Sequence, residues 1–246
     1  MSSSTETGGA SADFTTTQWS VVLDARHTDP VRAQAALERL CRRYWYPLYA
    51  FVRRSGQTAH DAEDTTQGFF AHLLGKNALK RVGQDKGRFR TFLLTSLVNF
   101  MNDERDRQGA AKRGGKNQVL SWDALAAEEA YRHEPVDSFT PETLFERRWA
   151  FTLVQQVLAR LRKECENDGK KELFDKLDPC LTGRIPSGLY AEMSARFGMS
   201  QGSVRVLVHR LRRHLGQLLR SEIAHTVARP DEVEAELRYL FRIVGS

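Results

Sequence analysis

The sequence has few cysteines and no long apolar run, and each shortage excludes a class of protein. Its 246 residues include 3 cysteines, Cys41, Cys165 and Cys180, which are far apart and form no CxxC pair. This spacing suggests neither a disulfide framework nor a zinc site and fits a protein of the reducing cytoplasm. No apolar run approaches the ~20 residues that a helix needs to cross a bilayer. We therefore expect a cytoplasmic protein without membrane insertion.

The sequence also lacks a secretion signal and a strand pattern. Residues 1–17 are rich in Ser, Thr and Gly and contain neither a basic nor an apolar stretch, so we expect a disordered lead-in there. Period-two alternation is absent, whereas apolar residues recur at helical spacing along most of the chain. The sequence therefore predicts an all-α protein.

Catalytic signals are sparse as well. His60 and Asp61 could begin a metal phosphohydrolase site with Glu63 and Asp64 as further ligands, but the other histidines form no ligand-spaced cluster with them. Neither a nucleotide-binding glycine loop nor a nucleophile motif is present. We expect no enzyme, no cofactor, no metal and no small-molecule substrate. Metal-dependent phosphoester hydrolysis that is lost with Asp61 would contradict this expectation.

Composition and helical periodicity divide the chain into two small helical domains. A glycine-rich basic stretch follows Arg107, an acidic and weakly periodic stretch comes next, and helical patterning resumes after Thr140, a good N-cap before Pro141. A short helix is expected at Trp19–Ala25, and Pro47 predicts a kink or break in the helix that starts near Pro30. The predicted segments are a lead-in at 1–17, a first helical domain at 18–108, a linker at 109–139, a second helical domain at 140–228 and a C-terminal helical extension at 229–246.

The strongest local pattern is "YAEMSARFGMSQGSVRVLVHRLRRHL", residues 190–215. A helix-turn-helix needs a small residue where its helices cross, a glycine in the turn and apolar positions that hold the second helix. Ser194, Gly198 and Ser200 fit the crossing point, the turn and the cap, and Val204 begins the apolar stripe. The second domain is therefore expected to contain a helix-turn-helix.

The other face of that second helix is basic. No Asp or Glu occurs between Gly198 and Ser221, whereas five arginines do. Arginines there could neutralise phosphates, and side chains near the helix start could reach base edges in a major groove. A solvated basic helix in an ordinary bundle is the alternative. The candidate DNA-binding residues are Gln201, Ser203, Arg205, His209 and Arg212.

A second basic segment, residues 85–113, mixes phenylalanines with cations. Such a mixture can stack unpaired bases beside a phosphate track. Phe89, Leu93, Leu97 and Phe100 also fit one buried helix face, and taken alone they favour a core role.

Together the motifs "LYAFVRRSGQTAHDAEDTTQGFFAHLL", "GRFRTFLLTSLVNFMNDERDR" and "YAEMSARFGMSQGSVRVLVHRLRR" occur in the order found in one family. The chain resembles bacterial RNA polymerase sigma factors of the extracytoplasmic-function group, within the sigma-70 family. The resemblance covers about residues 30–110 and 140–225, including the short linker between them. It implies promoter recognition and DNA melting for transcription initiation. A helix-turn-helix regulator that acts without core-polymerase docking is the alternative function.

The resemblance also implies partners and site residues. The partners are core RNA polymerase, through its β′ clamp helices and β flap, promoter DNA, and an anti-sigma factor as a family expectation. The helix-turn-helix residues named above would read the minus-thirty-five duplex. The residues expected to bind core polymerase are Asp61, Asp64, Gln67 and Phe70. The residues expected to hold the minus-ten strand are Arg88, Arg90, Asn99, Asn102 and Arg105.

Two positions depart from the family pattern. Relatives usually carry an acidic residue after the Gln of the "TQ" pair, where Gly68 stands here, and many carry a basic residue where Leu207 stands. The acids of "DAEDTTQGFF" are expected to be a cap, with Thr58 as N-cap and Asp61 reaching back, plus a docking surface. The helix predicted at 230–244 lies outside the family pattern. It either packs on its own domain or presents a partner-binding surface.

Overall fold

The computed structural model describes residues 30–74, 87–110, 124–135 and 139–245, and all regular secondary structure in these ranges is helical. A 3-10 turn at Pro230–Glu232 precedes the last helix. Within the described ranges, no helix is both long and apolar enough to span a membrane. The helices are α1 (Pro30–Arg54), α2 (Ala59–Leu74), α3 (Phe89–Ala110), α4 (Ala124–Arg132), α5 (Pro141–Asn167), α6 (Lys171–Thr182), α7 (Leu189–Phe197), α8 (Gln201–Ala224) and α9 (Val233–Gly245).

Helices α1 and α5 lie against each other and form the centre of the main core. From Leu40 onward, the apolar residues that recur at helical spacing along α1 are all buried, namely Leu40, Tyr44, Leu48, Phe51 and Val52. In α5, Trp149 and Leu153 are fully buried in the same core. Thr140 caps α5 as predicted, because its side chain accepts a hydrogen bond from the Thr143 N–H.

Helix α1 continues through Pro47 without a break. Proline cannot donate the usual backbone hydrogen bond, and it disfavours a helix interior for that reason. Pro47 is itself buried beside the buried Leu48. The buried packing of α1 favours a continuous helix and offsets the cost of the proline, so the predicted break does not occur.

Aromatic rings join α1, α2 and α3. Phe70 of α2 stacks on Trp45 of α1, with ring centroids 5.8 Å apart. Phe69 lies 6.0 Å from Phe100 of α3, and Tyr44 meets Phe89 edge-on at 5.5 Å. The core interpretation of the α3 phenylalanines is confirmed for Phe89 and Phe100, which are both buried.

Part of the predicted linker is helical and packs on α1. Helix α4 places Glu128 against the first half of the chain, where its carboxylate accepts hydrogen bonds from the Tyr49 hydroxyl at 2.6 Å and from Arg53 Nε at 2.9 Å. These hydrogen bonds, that from Arg53 above all, hold the pKa of Glu128 below its usual range. The stretch looks like a linker in the sequence because its contacts are ion pairs and hydrogen bonds with residues that are distant along the chain.

The segments on either side of the predicted linker share one hydrophobic core. Phe89 and Leu97 belong to the same buried cluster as Leu219, Leu237 and Leu240. A smaller cluster joins α6, α7 and α8. The predicted helix at 230–244 is present as the 3-10 turn and α9, which packs on α5 and α8. The predicted lead-in and the helix at 19–25 lie outside the described residues.

Candidate nucleic-acid interface

The turn between α7 and α8 has the backbone that its sequence predicts. Gly198 lies in the left-handed region with φ of 63°, which ends α7 with little of the strain that a side chain would cause. The Ser194 hydroxyl donates to the Met199 carbonyl oxygen at 2.5 Å. Ser200 caps α8 by accepting a hydrogen bond from the Ser203 N–H at 3.0 Å. The turn is therefore fixed by two side-chain hydrogen bonds and one glycine.

Apolar side chains then set the rotation of α8. Val204 and Val208, one turn apart, are buried in the smaller core with Met193 of α7 and Leu177 of α6. Leu207 is half-buried against the same cluster. The departure from the family at this position is thus a packing residue, which agrees with leaving it out of the DNA-contact set.

The opposite face of α8 is exposed and basic. Four of the five residues predicted for the minus-thirty-five duplex lie there, namely Gln201, Ser203, Arg205 and His209. The Arg205 guanidinium also lies over the Tyr190 ring of α7, 5.2 Å from its centroid. This contact orients the side chain without neutralising its charge. The face therefore presents positive charge beside polar side chains at the helix start.

Three further residues belong to this face. Arg210 and Arg213 are exposed, and Val206 keeps 50% of its surface accessible. Neither these arginines nor Arg205 forms an ion pair with any residue that the structure describes. The spacing could have identified Arg213, because it continues the four-residue step from Arg205 through His209.

Arg212 does not belong to the exposed face. Its guanidinium donates to the Cys180 carbonyl oxygen at 2.6 Å and to the Gly183 carbonyl oxygen at 2.8 Å. These carbonyls lie in and just after the last turn of α6, where helical partners are lacking. Arg212 follows Val208 by one turn and so turns toward the buried side. In the structure Arg212 is a cap on α6, and its predicted DNA contact stays a prediction.

At the start of α3, both arginines predicted for the minus-ten strand are paired with acids, but only Arg90 is buried, whereas Arg88 keeps 42% of its side chain accessible. Arg90 is only 2% exposed, lies 4.4 Å from the Trp149 ring centroid and pairs with Glu146 at 2.5 Å and with Glu236 of α9. Arg88 pairs with Glu236 at 3.0 Å. In this arrangement Arg90 is a core residue, because its charge is neutralised inside the protein.

The rest of the predicted minus-ten set lies on the far half of α3. Asn99, Asn102 and Arg105 are all exposed and recur every three residues, so they share one side of the helix. Three acids surround them in sequence, Asp103, Glu104 and Asp106. The structure therefore separates the predicted minus-ten residues into two arginines that are paired with acids and an exposed, electrostatically mixed row.

Helix α2 carries the predicted docking residues. Thr58 is its N-cap, since its side chain accepts the Asp61 N–H at 3.2 Å, and its hydroxyl donates to the Asp61 carboxylate at 2.7 Å. Asp61 and Asp64 are exposed, and Gln67 donates to Glu63 at 3.0 Å. Within the described residues, no three ligand-type side chains come together as a metal site.

Phe70 and Gly68 of the same helix are explained by packing. Phe70 is fully buried, so the structure corrects its predicted docking role to a core role. At Gly68 an added Cβ would lie 3.3 Å from Phe100 Cζ of α3, tighter than ordinary van der Waals contact. An acidic side chain there, as in the family, would displace Phe100. Glycine at this position therefore follows from how α2 and α3 pack.

Comparison of the chain with models of protein families, with curated proteins and with solved structures gives no match.

Proposed function

We propose that this protein is a sigma-type transcription initiation factor with two functional regions, in which α7 and α8 form a DNA-reading helix-turn-helix. The observation that carries the proposal is the exposed face of α8. Arg205, Arg210 and Arg213 stand on it without ion pairs among the described residues, and a capped, glycine-containing turn holds the helix. Unpaired arginines on a rigid helix are suited to bind and neutralise the phosphates of a DNA backbone.

The arrangement supports distinct roles along α8. Gln201 and Ser203 lie in the first turn, where recognition helices contact base edges. Val206 offers an apolar contact of the kind that a thymine methyl group accepts. The arginines further along would bind phosphates and set the register of the protein on the duplex.

Docking to core RNA polymerase is proposed for the exposed acids of α2. Asp61, Asp64 and Gln67 lie on one accessible side of a helix whose apolar side is buried. Asp64 pairs only loosely with His60, with 3.7 Å between Nε2 and Oδ2, so its carboxylate can serve a partner. The exposed Asn99, Asn102 and Arg105 of α3 are proposed to contact the minus-ten strand.

Run-off transcription with purified core polymerase on promoter fragments tests the proposal. Arg205→Ala should lower promoter-specific transcription about 5- to 150-fold while core-polymerase binding is unchanged, since a lost contact costs about 1–3 kcal/mol. Asp64→Arg should weaken core binding and leave duplex binding by α8 intact. If the wild-type chain supports no promoter-specific initiation with any core enzyme that it binds, the proposal is wrong.

A DNA-binding regulator that does not dock on core polymerase is the second candidate. The burial of Phe70 and Arg90 favours it, because two residues expected to serve the sigma reaction are core residues here. Co-purification separates the two functions. A chain that binds duplex DNA tightly by itself and leaves core polymerase alone is the regulator.

A further inference from the structure

Helix α9 inserts a carboxylate between the two arginines at the start of α3. Glu236 is fully buried, and its carboxylate pairs with both Arg88 and Arg90. Tyr239, three residues later, lies over both guanidinium groups, 5.7 Å from Arg88 and 4.9 Å from Arg90. Burial raises the pKa of the Tyr239 hydroxyl, so the ring stays neutral beside the charges. One turn of α9 therefore surrounds the cationic end of α3.

The segment that precedes α9 also contacts the start of α3. The N–H of Phe89, the first residue of α3, donates to the carbonyl oxygen of Thr226 at 3.0 Å. Thr226 is itself buried and lies in the non-helical connection between α8 and the 3-10 turn. The connection and α9 together thus lie against the start of α3.

We propose that α9 is an intramolecular cover, and that Glu236 and the phosphates of single-stranded DNA compete for Arg88 and Arg90. The inference rests on the proposed function, since it concerns the strand that a sigma factor would hold. Carboxylate and phosphate are interchangeable partners for guanidinium, because both accept its planar pair of N–H donors. A strand that replaces Glu236 leaves both arginines paired.

Detaching α9 should cost less free energy than opening the α1–α5 core. Within α9, Leu237 and Leu240 are buried, whereas Val233, Ile243 and Val244 are only partly buried against the core and Phe241 is 52% exposed. Segments with few buried apolar contacts open at lower free energy than the core. The α1–α5 core can stay closed while α9 leaves. The Glu236 carboxylate is then hydrated, and the guanidinium groups of the two arginines pair with DNA phosphates.

Salt-dependent binding of a fluorescent single-stranded oligonucleotide tests the proposal on the full-length chain. Glu236→Gln removes the competing charge and keeps the shape, so the affinity should rise about tenfold, within the usual range of intramolecular coupling. The slope of log affinity against log salt should steepen by about 1.4, because two more phosphates are neutralised at about 0.7 each.

Glu234→Gln is the matched control. Glu234 lies on the same helix, but it is exposed and pairs with Arg220 at 2.7 Å. This variant removes an equal charge and should bind within about twofold of the wild type. Equal affinities and equal salt slopes for the two variants would overturn the cover.

Adding Arg88→Ala to the Glu236→Gln chain provides a second readout. It should remove much of the gained affinity and make the slope of log affinity against log salt shallower. The same change in the wild-type chain should lower the affinity less. A similar loss in both backgrounds would mean that Arg88 is equally available with Glu236 present. That result would also overturn the proposal.

Hydrogen exchange of the wild-type chain tests the same step without any substitution. Saturating single-stranded oligonucleotide should speed the exchange of the amides at 233–245 and leave the α5 amides slow. Unchanged exchange in α9 under saturation overturns the cover but not the proposed function. If no chain binds single-stranded or duplex promoter DNA, or starts transcription, the proposed function fails and the cover fails with it.

Discussion

The arginines at the start of α3 and those on α8 differ in what surrounds their charges. Arg88 and Arg90 are paired with Glu236, and Arg90 is 2% exposed. Arg205 and Arg213 are exposed and have no ion pair among the described residues. Both segments are basic in sequence. The first is neutralised by acids more than fifty positions away, whereas Arg205 and Arg213 of the second meet no acid among the residues that the structure describes.

This difference separates two uses of the same side chain. While α9 is in place, a guanidinium that is buried with carboxylates and aromatic rings holds elements of the fold together. A guanidinium on a solvent-facing helix stripe is free for a polyanion. Arg212 shows that the distinction holds within a single helix, because it caps α6 while its neighbour Arg213 faces solvent.

The covered pair should give the largest effect on stability. Arg90→Met leaves the buried Glu236 with Arg88 alone, and breaking a buried ion pair costs about 3–5 kcal/mol. We expect that loss in the free energy of unfolding, measured with urea. Arg107→Met, which removes only an exposed pair with Glu104, should change it by less than about 1 kcal/mol. Equal values for the two variants would contradict the contrast between covered and open arginines.

Substitution of Arg212 should lower stability, whereas substitution of Arg205 should lower DNA binding. Arg212→Ala deprives the Cys180 and Gly183 carbonyls of a charged donor, so the free energy of unfolding should fall by about 2 kcal/mol. Arg205→Ala should change it by less than about 0.5 kcal/mol and weaken duplex binding instead. Urea unfolding and a duplex-binding titration on both variants check this. A stability loss at Arg205 would place it with the structural arginines.

The turn before α8 should have an intermediate effect. Gly198→Ala puts a side chain at φ of 63°, and we expect a loss of about 1–2 kcal/mol in the free energy of unfolding. Gly202→Ala is the control, because Gly202 is helical and its added Cβ would make an ordinary contact 3.6 Å from Ser200 Oγ. That variant should gain up to about 1 kcal/mol. Losses in both variants would show that the turn conformation is not the cause.

His225, beside the covered region, should give the smallest effect. Burial lowers its pKa, Arg43 adds to the lowering, and Glu222 opposes it. The unfolded chain therefore takes up a proton, as pH falls through about 6.5, before the folded chain does. Stability should fall below that pH by less than about 1 kcal/mol from this group, and His225→Gln should remove the loss. Thermal melts at several pH values measure it, and an unchanged profile in His225→Gln would contradict the expectation.

Local patterns were enough to predict most helices and caps. The second helix of the pattern at 190–215 exists as α8, and Thr58, Thr140 and Ser200 cap the helices that they precede. The apolar stripes of α1 and α8 can be recognised in the sequence because buried residues recur with the period of a helix. The helix α4 was missed, since Glu128 finds its partners on α1 and has no local signal.

The sequence by itself determined the all-helical class, the α7–α8 turn and the basic face of α8, because each depends on residues within a few turns of one another. Only the tertiary structure decided which arginines face solvent. Arg90 meets Glu146 and Glu236, and Arg212 meets the end of α6, through contacts that no local spacing encodes. Packing likewise placed Phe70 in the core and put Phe100 close to Gly68. The physical reason is that charge and hydrophobicity are local properties, whereas burial depends on which distant surface covers them.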